Sequence, residues 1–184
     1  SGLQEISNPA GLFLEERSND ASGSVVCACL EGNRPILVEV QALVAKTPYG
    51  MPRRTAVGFD YNRVTMLLAI LERRLGMDFG AYDAYVNVVG GMRVTEPAAD
   101  LAVAAALVSS YRNRPIPHGV LVMGEVGLTG EVRRIGSPER RIKDAMNLGF
   151  KRFVLPMGKL SLDEPCNGIV QVKTLEEALD KVFA

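Results

Sequence analysis

Apolar and polar positions along the 184-residue chain change period several times, and the changes mark its elements. Residues 25–30 and 36–44 are β-rich runs, and Glu31-Gly32-Asn33-Arg34-Pro35 between them predicts a hairpin. In the second run Ile36, Val38, Val40 and Ala42 alternate with Leu37, Glu39 and Gln41. One nearly all-apolar face is therefore expected against a core. Residues 46–52 hold two prolines and a glycine, a loop that ends in Arg53-Arg54, and residues 55–59 read as a short strand. The period then lengthens. Val64, Leu67, Leu68, Leu71 and Leu75 recur at helical spacing between a capping Asp60 and a terminating Gly76.

Residues 85–89 form another strand, closed by Gly90-Gly91. A helix follows, capped by Thr95 or Glu96 with Pro97 in its first turn and Leu101, Ala104, Ala105 and Val108 as its buried stripe. Its many alanines imply the close approach of another element. Residues 120–123 form a strand, and 124–130 reverse the chain tightly into 131–135. Ser137 is placed to cap a helix opening on Pro138, with Ile142, Ala145 and Met146 inward and Gly149 at its end. Residues 152–155 and 168–172 are strands, and Thr174-Leu175-Glu176-Glu177 is a capping box for the last helix, whose Leu175, Ala178, Leu179 and Val182 face inward. Mixed elements with a hairpin-rich end predict an α+β fold. No repeat or low-complexity segment interrupts it, so a single domain over residues 11–184 is expected. The first ten residues, opening on Ser1-Gly2 without Met, read as a linker or tag remnant of an excised fragment.

Composition narrows the class. With 47% hydrophobic and 23% charged residues, the chain has ample material for a core. Lys+Arg and Asp+Glu both number 21, so an electrostatic partner must be met by a local patch. Neither a membrane-length apolar run nor a signal peptide is visible. The three cysteines, Cys27, Cys29 and Cys166, have no framework spacing, which points to a reducing, cytoplasmic setting. Cys27 and Cys29 read as strand core, because a structural zinc site needs about four ligands and His118 is the only histidine.

Three kinds of chemistry can be tested against these residues. Phosphate binding needs a P-loop, but Gly158-Lys159-Leu160-Ser161 lacks its leading glycine, and Gly124 to Gly130 leads into a strand rather than a helix. A serine triad needs a held base, but His118 lies in a proline-bracketed loop and no Gly-x-Ser-x-Gly occurs. A Ser–Lys dyad needs a serine at a helix start, where backbone N–H groups hold an oxyanion, and a desolvated lysine as base.

The frame of such a dyad is present: Pro97-Ala98-Ala99-Asp100, then Met123-Gly124-Glu125-Val126, Gly130-Glu131-Val132 and Ile135-Gly136-Ser137-Pro138-Glu139. These motifs resemble the proteolytic domain of the Lon family, and the resemblance puts Ala98 at the serine position and Glu139 at the lysine position. Alanine offers no nucleophile, and Glu139 is expected ionised in its helix's first turn. Nearby, Ser137 reads as a cap and Lys143 lies a turn too late. Further motifs are Val38-Glu39-Val40-Gln41-Ala42-Leu43-Val44, Pro52-Arg53-Arg54-Thr55-Ala56-Val57-Gly58, Asn62-Arg63, Val86-Asn87-Val88-Val89-Gly90-Gly91 and Gly124 to Glu131. From about Ser7 onward, the chain resembles more closely the carboxy-terminal, Lon protease-like domain of the RadA (Sms) family of bacterial DNA-repair proteins. That resemblance implies a domain without protease activity that helps assemble a hexameric ring and binds single-stranded or branched DNA. It also implies work beside recombination proteins such as RecA in an ATP-driven branch-migration motor. ATP, Mg and Zn are then expected only in upstream domains, a zinc finger and a RecA-like ATPase, and no cofactor here.

Phosphate contact needs clustered cations. Arg53, Arg54, Arg133, Arg134, Arg140, Arg141 and Lys143 are the candidates, with Lys151-Arg152 a further pair, and the Arg53-Arg54 loop is the foremost of them. Against DNA contact stands a solvated face of i,i+4 pairs such as Arg140/Asp144 and Glu139/Lys143. The alternatives are a working peptidase with a non-standard dyad and a purely structural oligomerisation module.

Overall fold

The computed structural model describes residues 20–184, and the apolar run Gly11-Leu12-Phe13-Leu14, expected to dock as an edge strand, lies outside the described residues. In chain order the elements are β1 (Ser24–Glu31), β2 (Arg34–Lys46), β3 (Arg54–Val57), α1 (Tyr61–Leu75), β4 (Tyr82–Val88) and a 3-10 turn (Pro97–Ala99). They continue with α2 (Asp100–Arg112), β5 (Val120–Val122), β6 (Glu125–Val126), β7 (Val132–Arg133), α3 (Pro138–Asn147), β8 (Arg152–Pro156), β9 (Ile169–Val172) and α4 (Leu175–Val182). Seven strands make one sheet in the order β3-β4-β2-β1-β5-β8-β9, and β6 and β7 form a separate small ribbon. Only β2 runs against its neighbours; every other pairing in the large sheet is parallel. This mixed sheet, with four helices among the described residues, is the expected α+β fold.

Local chemistry sets the boundaries. The β1–β2 turn is shorter than the five-residue signal, because Glu31 pairs directly with Arg34 and only left-handed Gly32 (φ 63°) and Asn33 turn the chain. Asp60 accepts from the Arg63 N–H at 3.1 Å to open α1, and Gly76, at φ 68°, donates to the Glu72 carbonyl to close it. At α4 the Thr174 hydroxyl accepts from the Glu177 N–H at 3.1 Å. The Glu177 carboxylate reaches one residue further back than a standard box, to the Lys173 N–H at 3.3 Å.

Two expectations change. The expected stripe on α2 is not a stripe, because every residue from Asp100 to Ser109 is buried. The sequence from Leu101 to Ser109 carries no charge, and the helix packs on β1, β2, β4, β5, α1 and α4. Leu101, Leu107, Val103 and Val108 each contribute about 1.5–3 kcal/mol of burial there. Likewise the two-faced pattern expected of β2 appears only from Gln41 onward, since Leu37 and Glu39 are as buried as Val38 and Val40.

The reason is that the sheet has two halves. Strands β1, β5 and β8 are buried on both faces, and β1 is packed by both α2 and α3. Strands β4, β3 and the end of β2 alternate instead. Ala42, Ala84, Val86 and Val88 turn into the core, while Gln41, Leu43, Asn87, Thr55 and Val57 are exposed. No helix among the described residues is long and apolar enough to cross a membrane.

Candidate functional site

The start of α2 is a buried ionic anchor. Glu96 and Pro97 open the 3-10 turn, and the Asp100 side chain is wholly buried at the first turn of the α-helix. Its carboxylate accepts from Arg63 Nε at 2.7 Å, pairs with the same guanidinium through Nη2, and accepts from the Val126 N–H at 3.1 Å. Three segments are thereby joined: α1, α2 and the β6 strand. Burial pushes the Asp100 carboxyl above the ordinary aspartate range, against the pull of Arg63 and Val126, and Asp100 in turn raises the Arg63 guanidinium. Gly124 threads the same place. Its N–H donates to the Ala98 carbonyl at 2.8 Å, and its own carbonyl accepts from the Leu101 N–H at 3.0 Å. A Cβ at Gly124 would stand 2.9 Å from Val132 Cγ1, so the glycine is required by close approach.

The start of α3 is tied to this anchor from a distance. Arg141, only 1% exposed, forms a bidentate bridge to Glu96, with Nη1–Oε1 at 2.5 Å and Nη2–Oε2 at 3.0 Å. It also donates to the carbonyls of Ala28 and Gly136, both at 2.9 Å. Glu96 accepts in addition from the Leu30 N–H at 2.8 Å. The bridge therefore fastens α3 to β1 and to the turn ahead of α2. Arg141 was a candidate DNA contact; its guanidinium is committed inside the protein and cannot reach a phosphate. Ser137 is also not the cap its sequence suggested. It holds the N-cap position in a left-handed conformation (φ 52°, ψ 51°), and its side chain makes no cap bond. Capping normally needs an extended backbone there.

Ala98 is buried, and its carbonyl accepts a weak bond from the Cys27 thiol at 3.9 Å. Glu139 is half-buried on a groove rim and accepts from the Ser161 N–H at 3.3 Å. His118 is exposed. Cys27 and Cys29 are buried free thiols 3.9 Å apart, and their mutual hydrogen bond, with burial, holds Cys27 well above the ordinary thiol range. Among the described residues no three His, Cys, Asp or Glu side chains gather as a metal site, so the residues present do not fit zinc.

The remaining cations divide between the two ends of the sheet. Arg53 is exposed, and its N–H donates to Asp83 at 2.7 Å. That bond, with Thr47 and the two arginines, holds the Asp83 carboxyl below its ordinary range. Arg54 is largely occupied by the carbonyls of Tyr82 and Phe79. At the other end, Arg134 and Lys159 line a groove of about 250 Å³ floored by Leu155, Pro156, Met157 and Leu160. An adjoining groove of about 260 Å³ holds Arg140 and Lys143, but also Asp163 and Glu164, and Glu139 borders both. Arg133 is paired with Glu131 at 3.5 Å, and Arg140 donates to the Asn33 carbonyl at 3.1 Å, so the proposed Arg140/Asp144 pairing is not what holds it. Arg53, just ahead of β3, and the Arg134–Lys159 groove, lined by β8 and β9, lie five to six strands apart, roughly 25 to 30 Å at a spacing of about 4.8 Å. They cannot be one phosphate cluster. Lys159 shares the groove with Arg134 because the chain just after β8 lies against the segment between β7 and α3, where a Cβ at Gly158 would stand 3.6 Å from Arg134 Nε, and no local motif announces that approach.

An α+β domain with one buried, ion-paired helix start and one exposed cationic groove is the class the fold and site define. The family described as subunit ChlI of Mg-chelatase matches residues 40–159, from the middle of β2 to just past β8, and the chain belongs to that family. Among curated proteins, the DNA repair protein RadA of Halalkalibacterium halodurans is 48% identical over 184 residues, covering 98% of this chain and 40% of that protein. That of Pseudomonas aeruginosa is 49% identical over 183 residues, 99% of this chain and 40% of its own length. That of Bacillus subtilis is 48% identical over 180 residues, 97% and 39% respectively. The chain thus spans about two-fifths of the length of these relatives.

Proposed function

We propose that this chain is a non-proteolytic, Lon-like domain of a RadA-type DNA repair protein, serving DNA contact and homo-oligomeric ring assembly in an ATP-driven motor. DNA repair relatives that match nearly the whole chain support the setting. The lack of peptidase chemistry is supported by the side chains themselves, a buried methyl at Ala98 and a carboxylate at Glu139 where the Lon resemblance would place serine and lysine. ATP, Mg and Zn would act in other domains of the whole protein, and RecA-type recombination proteins would be its partners in the cytoplasm.

The observation that carries DNA contact is the Arg134–Lys159 groove. It offers two exposed cations against a single carboxylate, over an apolar floor. Arg133, Arg140 and Lys143 flank it, although the acids beside Arg140 and Lys143 weaken their pull on phosphate. Arg53 belongs to a separate surface, and Arg54 is held by carbonyls. Fluorescence anisotropy with labelled single-stranded and branched DNA, titrated across salt, tests this. Arg134→Ala/Lys159→Ala is expected to reduce the slope of log affinity against log salt by about 0.7 to 0.9 per lost phosphate contact. Arg53→Ala is expected to leave the slope unchanged. The assignment fails if the double variant binds like wild type or if Arg53→Ala abolishes binding.

A further inference from the structure

The floor of the Arg134–Lys159 groove is apolar. Met157, itself 42% exposed, lines it together with Leu155, Pro156 and Leu160. This floor is fixed by the fold. Gln171 on β9 donates from Nε2 to the Gly158 carbonyl at 2.6 Å and to the Pro156 carbonyl at 3.3 Å. The Met157 N–H donates to the Val172 carbonyl at 3.2 Å. The bond from the Ser161 N–H to Glu139 ties the far end of residues 157–161 to α3. The Arg134 side chain passes close to Gly158, and Lys159 follows directly in the chain, so both cations rise from the edge of one preformed apolar surface.

A closed duplex makes poor use of such a floor. Its bases are stacked inside, and the phosphate and sugar it presents gain nothing from apolar side chains. An unpaired nucleotide matches both features, because its base is a flat apolar body joined on either side to phosphates. We propose that the groove seats one unpaired base of single-stranded DNA on Met157 and Leu160, with Arg134 and Lys159 on the adjoining phosphates. This rests on the DNA-contact reading above and names the state of the strand that the groove recognises. Thioether sulfur makes favourable contacts with aromatic rings, so Met157 supplies the stacking surface. Glu139 on the rim suits the same occupant, since a carboxylate repels phosphate but accepts from the exocyclic amino group of a base. The volume of about 250 Å³ lies just below the range of about 300–1,000 Å³ usual for drug-sized ligands, which suits one base rather than several.

Fluorescence anisotropy tests this with three labelled probes: a mixed-sequence single strand, an equally long strand of abasic residues, and a blunt duplex. The abasic strand keeps every phosphate and loses only the bases. Wild type is expected to bind the ordinary strand about fivefold or more tighter than the abasic one, the lower end for one stacked base. Met157→Ala is expected to lose most of that preference while binding the abasic strand and the duplex as wild type does. Its salt slope should also stay unchanged, because no phosphate contact is lost. Met157 is exposed enough that its melting temperature should match wild type and serve as the folding control. Equal binding of the two strands by wild type, or a Met157→Ala variant that keeps the full preference or weakens all three probes alike, overturns the base seat. The DNA-contact reading then still stands if Arg134→Ala/Lys159→Ala lowers the salt slope. A double variant with the wild-type slope overturns that reading and this inference together.

Discussion

The two helix starts look alike in the sequence and are opposite in the fold. Each has a proline in its first turn and an acidic residue close by: Pro97 with Asp100, and Pro138 with Glu139. At α2 the acid is wholly buried and joins three segments through Arg63 and the Val126 N–H. At α3 the acid sits half-buried on a groove rim among cations, with Arg140 exposed beside it. The two are linked by Arg141 and Glu96, whose bridge carries the order of the buried start to the exposed one. The difference teaches that a helix start is given its work by what packs around it. Where α2 is enclosed, charge serves the fold; where α3 is open, charge is free to meet a ligand.

The comparison is broken most directly at Asp100. Asp100→Ala leaves Arg63 without its partner and the Val126 N–H without an acceptor. The expected loss is about 3 kcal/mol, at the lower end for a severed buried pair because Arg63 remains 27% exposed and can hydrate. Glu139→Ala at the other start, giving up one bond to the Ser161 N–H at the surface, is expected to cost about 0.5 kcal/mol or less. Urea denaturation of both variants measures the contrast. Equal losses would remove the distinction between an anchoring and a solvent-facing start.

Much of the fold could be read from the chain because its boundaries are set by neighbours in sequence. Asp60 with Arg63, Gly76 with Glu72 and Thr174 with Glu177 are all local pairs, and each delimits its helix as expected. What escaped depends on partners far along the chain. Asp100 meets Arg63 across 37 positions, and Arg141 meets Glu96 across 45. Arg141 did leave a trace. Helical spacing puts it on the face of Pro138 and Ala145, beside Ile142, and both Ile142 and Ala145 are buried. Arg140 and Arg141 look alike as neighbouring cations, yet Arg140 is exposed and Arg141 is buried. No comparable trace marks the groove, since Arg134 and Lys159 are brought together only by the placement of β8.

A smaller, opposite-signed effect of pH sharpens the same contrast. Asp100 has its carboxyl raised by burial in the fold. Its contribution to stability is therefore fullest below the ordinary aspartate value of about 3.9, and is lost as pH rises through the raised folded value. Glu131, in the exposed hairpin region ahead of α3, is lowered by its bond to Thr129 and by Arg133. Its contribution is present above the ordinary glutamate value of about 4.3, and is lost as pH falls through the lowered folded value. Denaturation midpoints followed from acid to neutral pH should show Asp100→Asn gaining on wild type as pH rises. Glu131→Gln should gain on wild type as pH falls. Slopes of the same sign in the two variants would contradict the assignment.

The finest version of the comparison sets the failed cap of α3 against the working cap of α4. Thr174, with an extended backbone (φ −127°, ψ 156°), accepts the Glu177 N–H; Ser137, left-handed, makes no such bond. Thr174→Ala is therefore expected to cost about 1 kcal/mol, and Ser137→Ala no more than a few tenths. Ser137→Gly should reverse the sign. Glycine adopts φ 52° without the steric cost of a Cβ, about 1–2 kcal/mol, which exceeds the roughly 0.4–1 kcal/mol of backbone freedom that glycine adds to the unfolded chain. A gain of about 0.5 kcal/mol or less in urea denaturation is the expected result. A loss of about 1 kcal/mol in Ser137→Ala would instead mean that the hydroxyl caps α3 in solution. The exposed helix start would then be satisfied by its own side chain, and less of its first turn would remain open to an anionic partner.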